Sequence, residues 1–258
     1  MDEVERHDAR KTIVSHYTPE FGNLVSSYEN SVAWHQWAYD DFDFKVRNTG
    51  WLFDHRKFVV GNFWGFGDTC HWWMWKLLVD QLSCGFKFLE IGVYRGAVLS
   101  LIARLAAHQY KEGYTYGVSP LKPTTDDYET YAESPKGYQE DISFACRLWG
   151  NNNQPQLLAG MSYEPNIVAD AKMYGPYDIV YIDGGHTYEC VAMDIFNYVP
   201  LVKRGGFLVM DDASWFLKFR PEIWRGYESV GTAIRDYLDT RLGPEHLFAI
   251  GHNRIWSL

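Results

Sequence analysis

The chain has 258 residues, with 24 Lys and Arg against 33 Asp and Glu, a formal charge of −9. That length can bury the core of one large domain or of a domain with an elaborated arm. The acidic balance argues against a face that neutralises phosphates, so no nucleic-acid partner is expected. No apolar run approaches the roughly 18–20 residues of a membrane span, and Met1 to Lys11 is charged rather than signal-like. No membrane partner is therefore expected, and the chain reads as soluble and cytoplasmic. Cys70, Cys84, Cys146 and Cys190 show no C-x-x-C spacing, which points to neither zinc nor a disulfide framework.

Aromatic residues make up 17% of the chain, and seven of the eleven tryptophans fall between Trp34 and Trp75. Such density serves a core, an interface or a stacking surface, and composition does not choose among them. Residues 1–80 read as an aromatic-rich N-terminal helical extension packed on a main domain at 81–258. The first well-marked helix is His71–Leu82, with Thr69 or Asp68 as its N-cap. Strand and helix then alternate. Strands are read at Phe86–Ile91, Tyr114–Val118, Gln156–Ala159, Tyr177–Ile182 and Phe207–Met210. Helices are read at Ala97–His108, Gly137–Trp149, Val191–Leu201 and Ser229–Leu238. This alternation predicts a parallel α/β sheet. Leu247–Ile250 and Arg254–Trp256, flanking Gly251-His252-Asn253, predict a closing antiparallel hairpin.

Glu90-Ile91-Gly92-Val93-Tyr94-Arg95-Gly96 joins the first strand to its helix. Glycines there let the backbone approach a bound group beside a helix N-terminus, or simply make a tight turn. The dinucleotide fingerprint G-x-G-x-x-G fails, because Tyr94 occupies the middle glycine position. The acid precedes the glycines, a placement that suits a cationic ligand head better than a pyrophosphate.

Asp183-Gly184-Gly185-His186 follows the fourth strand and Asp211-Asp212 the fifth. On neighbouring parallel strands these tips converge where α/β ligand sites lie. Three carboxylates together call for a hard divalent cation, whereas the alternative makes Asp183 and Asp212 helix caps. His186 is either a base beside a cation-bound hydroxyl or an ordinary hydrogen-bonding residue. His35, His55 and His71 carry no spacing signal, and His108, His246 and His252 read as surface residues.

Phe88-Leu89-Glu90-Ile91-Gly92-Val93-Tyr94-Arg95-Gly96, Tyr181-Ile182-Asp183-Gly184-Gly185-His186-Thr187-Tyr188, Pro200-Leu201, Gly205-Gly206 and Asp211-Asp212 together resemble class I S-adenosylmethionine-dependent methyltransferases. Within that superfamily they look most similar to metal-dependent O-methyltransferases acting on the sugars of macrolide and aminocoumarin antibiotics, and to related glycan-modifying proteins. The resemblance covers residues 86–212 and implies a Rossmann-like, seven-stranded, mostly parallel sheet with a C-terminal antiparallel hairpin. It implies that S-adenosylmethionine meets Glu90, Gly92, Tyr94, Gly96, Ser119, Ser162 and Asp183. It also implies that Asp183, Asp211 and Asp212 hold a divalent cation, Mg2+ foremost, and that His186 and Asp183 are catalytic. The family usually places acids where Ser119 and Met161 stand, which puts cofactor affinity in question.

The expected activity is O-methylation of a sugar or glycan hydroxyl, with Trp64, Trp72, Trp215 and Trp224 as the acceptor wall. The alternatives are methylation of a non-sugar hydroxyl and a non-catalytic binding protein of the same fold. A homo-oligomeric assembly is left open.

Overall fold

The computed structural model describes residues 16–258, except 63, 66, 125–133, 135, 151–153 and 241–243. The charged stretch Met1 to Lys11 lies outside the described residues. Among the described residues four helices come first: α1 (Pro19–Ser27), α2 (Val32–Asn48), α3 (Gly50–Gly61) and α4 (Cys70–Asp80). There follow β1 (Phe86–Ile91), α5 (Ala97–His108), β2 (Gly113–Ser119), α6 (Tyr138–Trp149), β3 (Gln156–Ala159) and α7 (Pro165–Tyr174). The chain continues through β4 (Tyr177–Ile182), α8 (Tyr188–Tyr198), β5 (Val202–Met210), α9 (Glu228–Ile234), β6 (Glu245–Ile250) and β7 (Asn253–Ser257). Among the described residues no helix is long and apolar enough to cross a membrane.

The seven strands form one sheet in the order β3-β2-β1-β4-β5-β7-β6. The pairs from β3 to β5 are parallel, while β7 runs antiparallel to both β5 and β6. This is the mostly parallel sheet with a closing hairpin that the sequence predicts. Side-chain alternation explains the layering: Phe207 and Val209 face one core, whereas Leu208 and Met210 face the other. Helices α1–α6 contribute to the first core and α7–α9 to the second. The N-terminal helices are thus one wall of the domain core. Phe21, fully buried, meets Phe207 and Phe248 edge-on at centroid distances of 5.6 and 5.7 Å.

Two elements differ from the sequence reading in ways that matter for the site. The segment between β3 and β4 forms α7, begun by Pro165 in its first turn, where a missing N–H costs nothing. Helix α8 starts at Tyr188 rather than Val191, because the Thr187 hydroxyl caps it by accepting from the Cys190 N–H at 3.3 Å. Asp183 is therefore not that helix's cap. Asp212 caps nothing either, since α9 begins only at Glu228.

Candidate active site

The parallel strands leave the first strand in opposite directions, β1 to β2 to β3 on one side and β4 to β5 on the other. Ligand sites of open α/β sheets lie at such a switch point. The register aligns Ile91 with Ile182, and Ile182 with Met210. The residues just beyond, Gly92, Asp183 and Asp211, therefore emerge along one rim. A cavity of about 430 Å3 opens there. Of the residues named from sequence, Glu90, Gly92, Tyr94, Ser119, Ser162, Asp183, His186, Asp211, Asp212, Trp64, Trp72 and Trp224 all line it.

Two of the named residues do not line it. Gly96, with φ +83°, sits at the start of α5, where an added Cβ would lie 3.0 Å from the Ile142 Cα; its role is to let α6 pack close. Trp215 is turned away: the Arg225 guanidinium covers its ring at 5.5 Å, and its Cβ packs against Gly231 of α9. The loop does leave the sheet at the ligand edge, but its antiparallel bridge between Ala213 and Gly226 directs Trp215 onto α9 and brings Trp224 to the rim instead.

Gly92 also has a role that its sequence position did not reveal. A Cβ there would come 1.8 Å from the Asp183 carbonyl oxygen, and its φ is +98°. The glycine seats the β1 loop against the β4 tip, so the close approach is between backbones of the protein itself. Gly226 does the same at the other acidic tip, its absent Cβ lying 1.9 Å from the Asp212 carbonyl oxygen. Asp212 itself has φ +50°, a left-handed conformation that Asp tolerates better than most residues.

The acids are held by specific donors. Tyr181 donates its hydroxyl to Asp183 Oδ2 at 3.0 Å, and Trp224 donates its Nε1–H to Asp212 Oδ1 at 2.8 Å. His186 Nε2 stands 3.3 Å from Asp212 Oδ2, and His252 Nε2 stands 3.4 Å from Asp211 Oδ1. Burial, then Asp211 and Asp212, push the Asp183 carboxyl well above its usual range, and Asp183 and Asp211 share a side-chain hydrogen bond. Burial and then Asp211 push Asp212 up to about 6. Crowded carboxyls of this kind ionise together only when a cation joins them. Donor atoms of Asp211, Asp212 and His252 all lie within 4.8 Å of one another, a spacing that one ion can bridge with small side-chain shifts.

Glu90 is only 4% exposed, and its Oε2 has no hydrogen-bond partner. Burial pushes its carboxyl up to about 8; the Leu99 backbone N–H opposes this and Asp211 adds to it. A buried, unsatisfied carboxylate oxygen on a cavity wall fits a cationic head such as an ammonium. The Ser119 hydroxyl accepts from the Leu121 N–H at 3.1 Å, which fixes its oxygen and leaves its proton to donate.

Several cavity residues escaped the sequence reading. His252, read as a surface residue, is 7% exposed and lies in the cavity with Asn253, His71 and Trp75. A signal was present: β7 pairs antiparallel with β5, so the Gly251-His252-Asn253 turn must lie beside the residues that follow β5.

Residues 89–213 match the family model described as a methyltransferase domain. The uncharacterized protein R132 of Acanthamoeba polyphaga mimivirus is 25% identical over 205 residues, 76% of this chain and 80% of that protein. An O-methyltransferase from Bacillus cereus, solved in complex with SAH, superposes with a TM-score of 0.56 at 13% identity, over 84% of this chain and 96% of that one. The O-methyltransferase NovP superposes with a TM-score of 0.50 at 17% identity, over 72% and 78%. With the strand order and the closing antiparallel hairpin, these matches give residues 89–213 as a methyltransferase domain and the chain as a Rossmann-like α/β methyltransferase fold.

Proposed function

We propose that this protein transfers a methyl group to a hydroxyl of a sugar or glycan acceptor, with a divalent cation, Mg2+ foremost, assisting. The observation that carries the reading is one cavity with carboxylates at the β4 and β5 tips and indole rings from Trp64, Trp72 and Trp224 on its walls. Sugars offer apolar C–H faces to indoles and hydroxyls to acids, and this lining matches both.

S-adenosylmethionine, when bound, supplies an electrophilic methyl on a sulfonium. A divalent cation, when bound, lowers the pKa of a hydroxyl ligand. Glu90 Oε2 takes the ammonium end of the amino acid moiety, an interaction that also relieves its own burial cost. Asp183, Asp211 and Asp212 provide the oxygens that suit a hard cation, and Trp224 and Tyr181 fix two of these carboxylates. His186 lines the cavity beside Asp212 and accepts the proton that the acceptor hydroxyl loses. The tryptophan walls orient the acceptor and exclude water.

Mass-spectrometric screening of monosaccharides and glycans for methyl gain tests the reading. Activity should vanish on chelation and return with Mg2+, and Asp211→Asn should raise the Mg2+ requirement at least tenfold. Full activity after exhaustive chelation would remove the cation from the reading, and a strict preference for non-sugar hydroxyls would remove the sugar. The absence of an acid at Ser119 and at Met161, both on the cavity wall, favours, as a second reading, a binding protein with weak cofactor affinity. Tight S-adenosylmethionine binding by calorimetry would dismiss it.

A further inference from the structure

A second group of ligand-type side chains stands next to the carboxylates. Asp68, His71 and His252 each offer one donor atom, and these atoms all lie within 4.8 Å of one another. His71 is 5% exposed and His252 7%, and both line the cavity. Their rings meet edge to face at 4.5 Å. The hairpin backbone comes close to the group because residue 251 is glycine. A Cβ there would lie 2.7 Å from His71 Nε2 and 3.7 Å from Asp68 Oδ2.

The surroundings resemble the outer shell of a metal site. His71 hydrogen-bonds the Ile250 carbonyl with one nitrogen, which fixes the ring and leaves the other nitrogen for a ligand. The Tyr39 hydroxyl hydrogen-bonds Asp68. Two buried polar atoms at the group, His252 Nδ1 and Asn253 Oδ1, have no hydrogen-bond partner, and Asn253 Nδ2 stands 3.5 Å from His71 Nε2.

We propose that Asp68, His71 and His252 form a second, nitrogen-rich site for a divalent transition ion of the Zn2+ type, open to the cavity and sharing His252 with the neighbouring carboxylate set. Two imidazoles and one carboxylate suit Zn2+ or Co2+, whereas an all-oxygen set suits Mg2+. A tetrahedral ion with bonds of about 2.1 Å asks for donors about 3.4 Å apart, so donors that lie within 4.8 Å of one another need only small side-chain shifts to hold it. The inference does not depend on methyl transfer.

The test uses the full chain, stripped with chelator, with Zn2+ or Co2+ alone as the probe. Asp211→Asn and Asp212→Asn together remove two neighbouring carboxylates and keep His252. That protein should bind one equivalent of Zn2+ by calorimetry, and Co2+ should give the visible absorption of a nitrogen-ligated, low-coordinate ion. Adding His71→Gln should weaken Zn2+ at least tenfold and abolish the Co2+ spectrum. Asp68→Asn, at a half-buried position, should weaken Zn2+ with an unchanged melting curve, which guards against His71→Gln failing to fold. Zn2+ affinity unaltered by Asp68→Asn, or no Zn2+ binding in the Asp211/Asp212 background, overturns the inference. A protein that methylates with Mg2+ yet binds no Zn2+ overturns it too, whereas one that binds Zn2+ here and transfers no methyl leaves it standing.

Discussion

Glu90 carries two opposed demands, and they give a prediction with opposite signs. A folded-state carboxyl at about 8, against 4.5 when exposed, adds stability below pH 4.5 that is lost as pH rises to 8. Glu90→Gln should therefore raise the melting temperature of the ligand-free protein at pH 8, with a much smaller change at pH 4.5. The same substitution should weaken S-adenosylmethionine binding about 10- to 100-fold, the worth of one charge-assisted hydrogen bond. In the wild type, binding should strengthen as pH rises from 6 to 8, with proton release visible as a buffer-dependent calorimetric enthalpy. Binding equal at both pH values would detach Glu90 from the ligand. Trp224 gives a second prediction at this scale. Trp224→Phe keeps a ring and removes the N–H on Asp212 Oδ1, so it should weaken Mg2+ about tenfold while the melting temperature stays close to the wild type.

At the scale of elements, the acidic tips depend on loops held by glycine. Gly92→Ala places a Cβ 1.8 Å from the Asp183 carbonyl oxygen at φ +98°, so it should cost at least about 3 kcal/mol in urea unfolding. Gly205 is the control: φ is +77° with nothing within 4 Å, so Gly205→Ala should cost only about 1–2 kcal/mol. Equal costs would mean that the Gly92 loop yields easily. The strand-five loop gives the matching case for tryptophan. Trp215→Ala removes packing against Arg225 and α9, so it should lower stability by about 1–3 kcal/mol and leave acceptor KM unchanged. A raised KM at wild-type stability would bring Trp215 back to the acceptor wall.

For the molecule as a whole, the N-terminal helices are part of both the core and the site. Phe21 packs on Phe207 and Phe248 across the sheet face, and α4 carries His71, Trp72 and Trp75 into the cavity. Phe21→Ala should destabilise the fold by about 3–5 kcal/mol in a single unfolding transition, as for any large core truncation. A separate low-temperature transition would instead mark the helices as an independent unit.

The sequence by itself determined the strand periodicity from Phe86 to Met210, the hairpin around Gly251, and the acids at the ends of three strands. Those features are local: alternation and turn chemistry act over a few residues, and a strand's C-terminal end is visible wherever its apolar run stops. What the tertiary structure decided was which neighbours share a point in space. His71 and His252 are separated by most of the chain and meet only because α4 packs beside the β6–β7 turn. Trp215 and Trp224 lie in one loop, and the bridge between Ala213 and Gly226 sends them to opposite sides. Gly92 reads in sequence as room for a ligand or as a tight turn, and the fold shows that it lines the cavity and also brings two backbones together. Such contacts arise from long-range packing, whose partners no local pattern specifies.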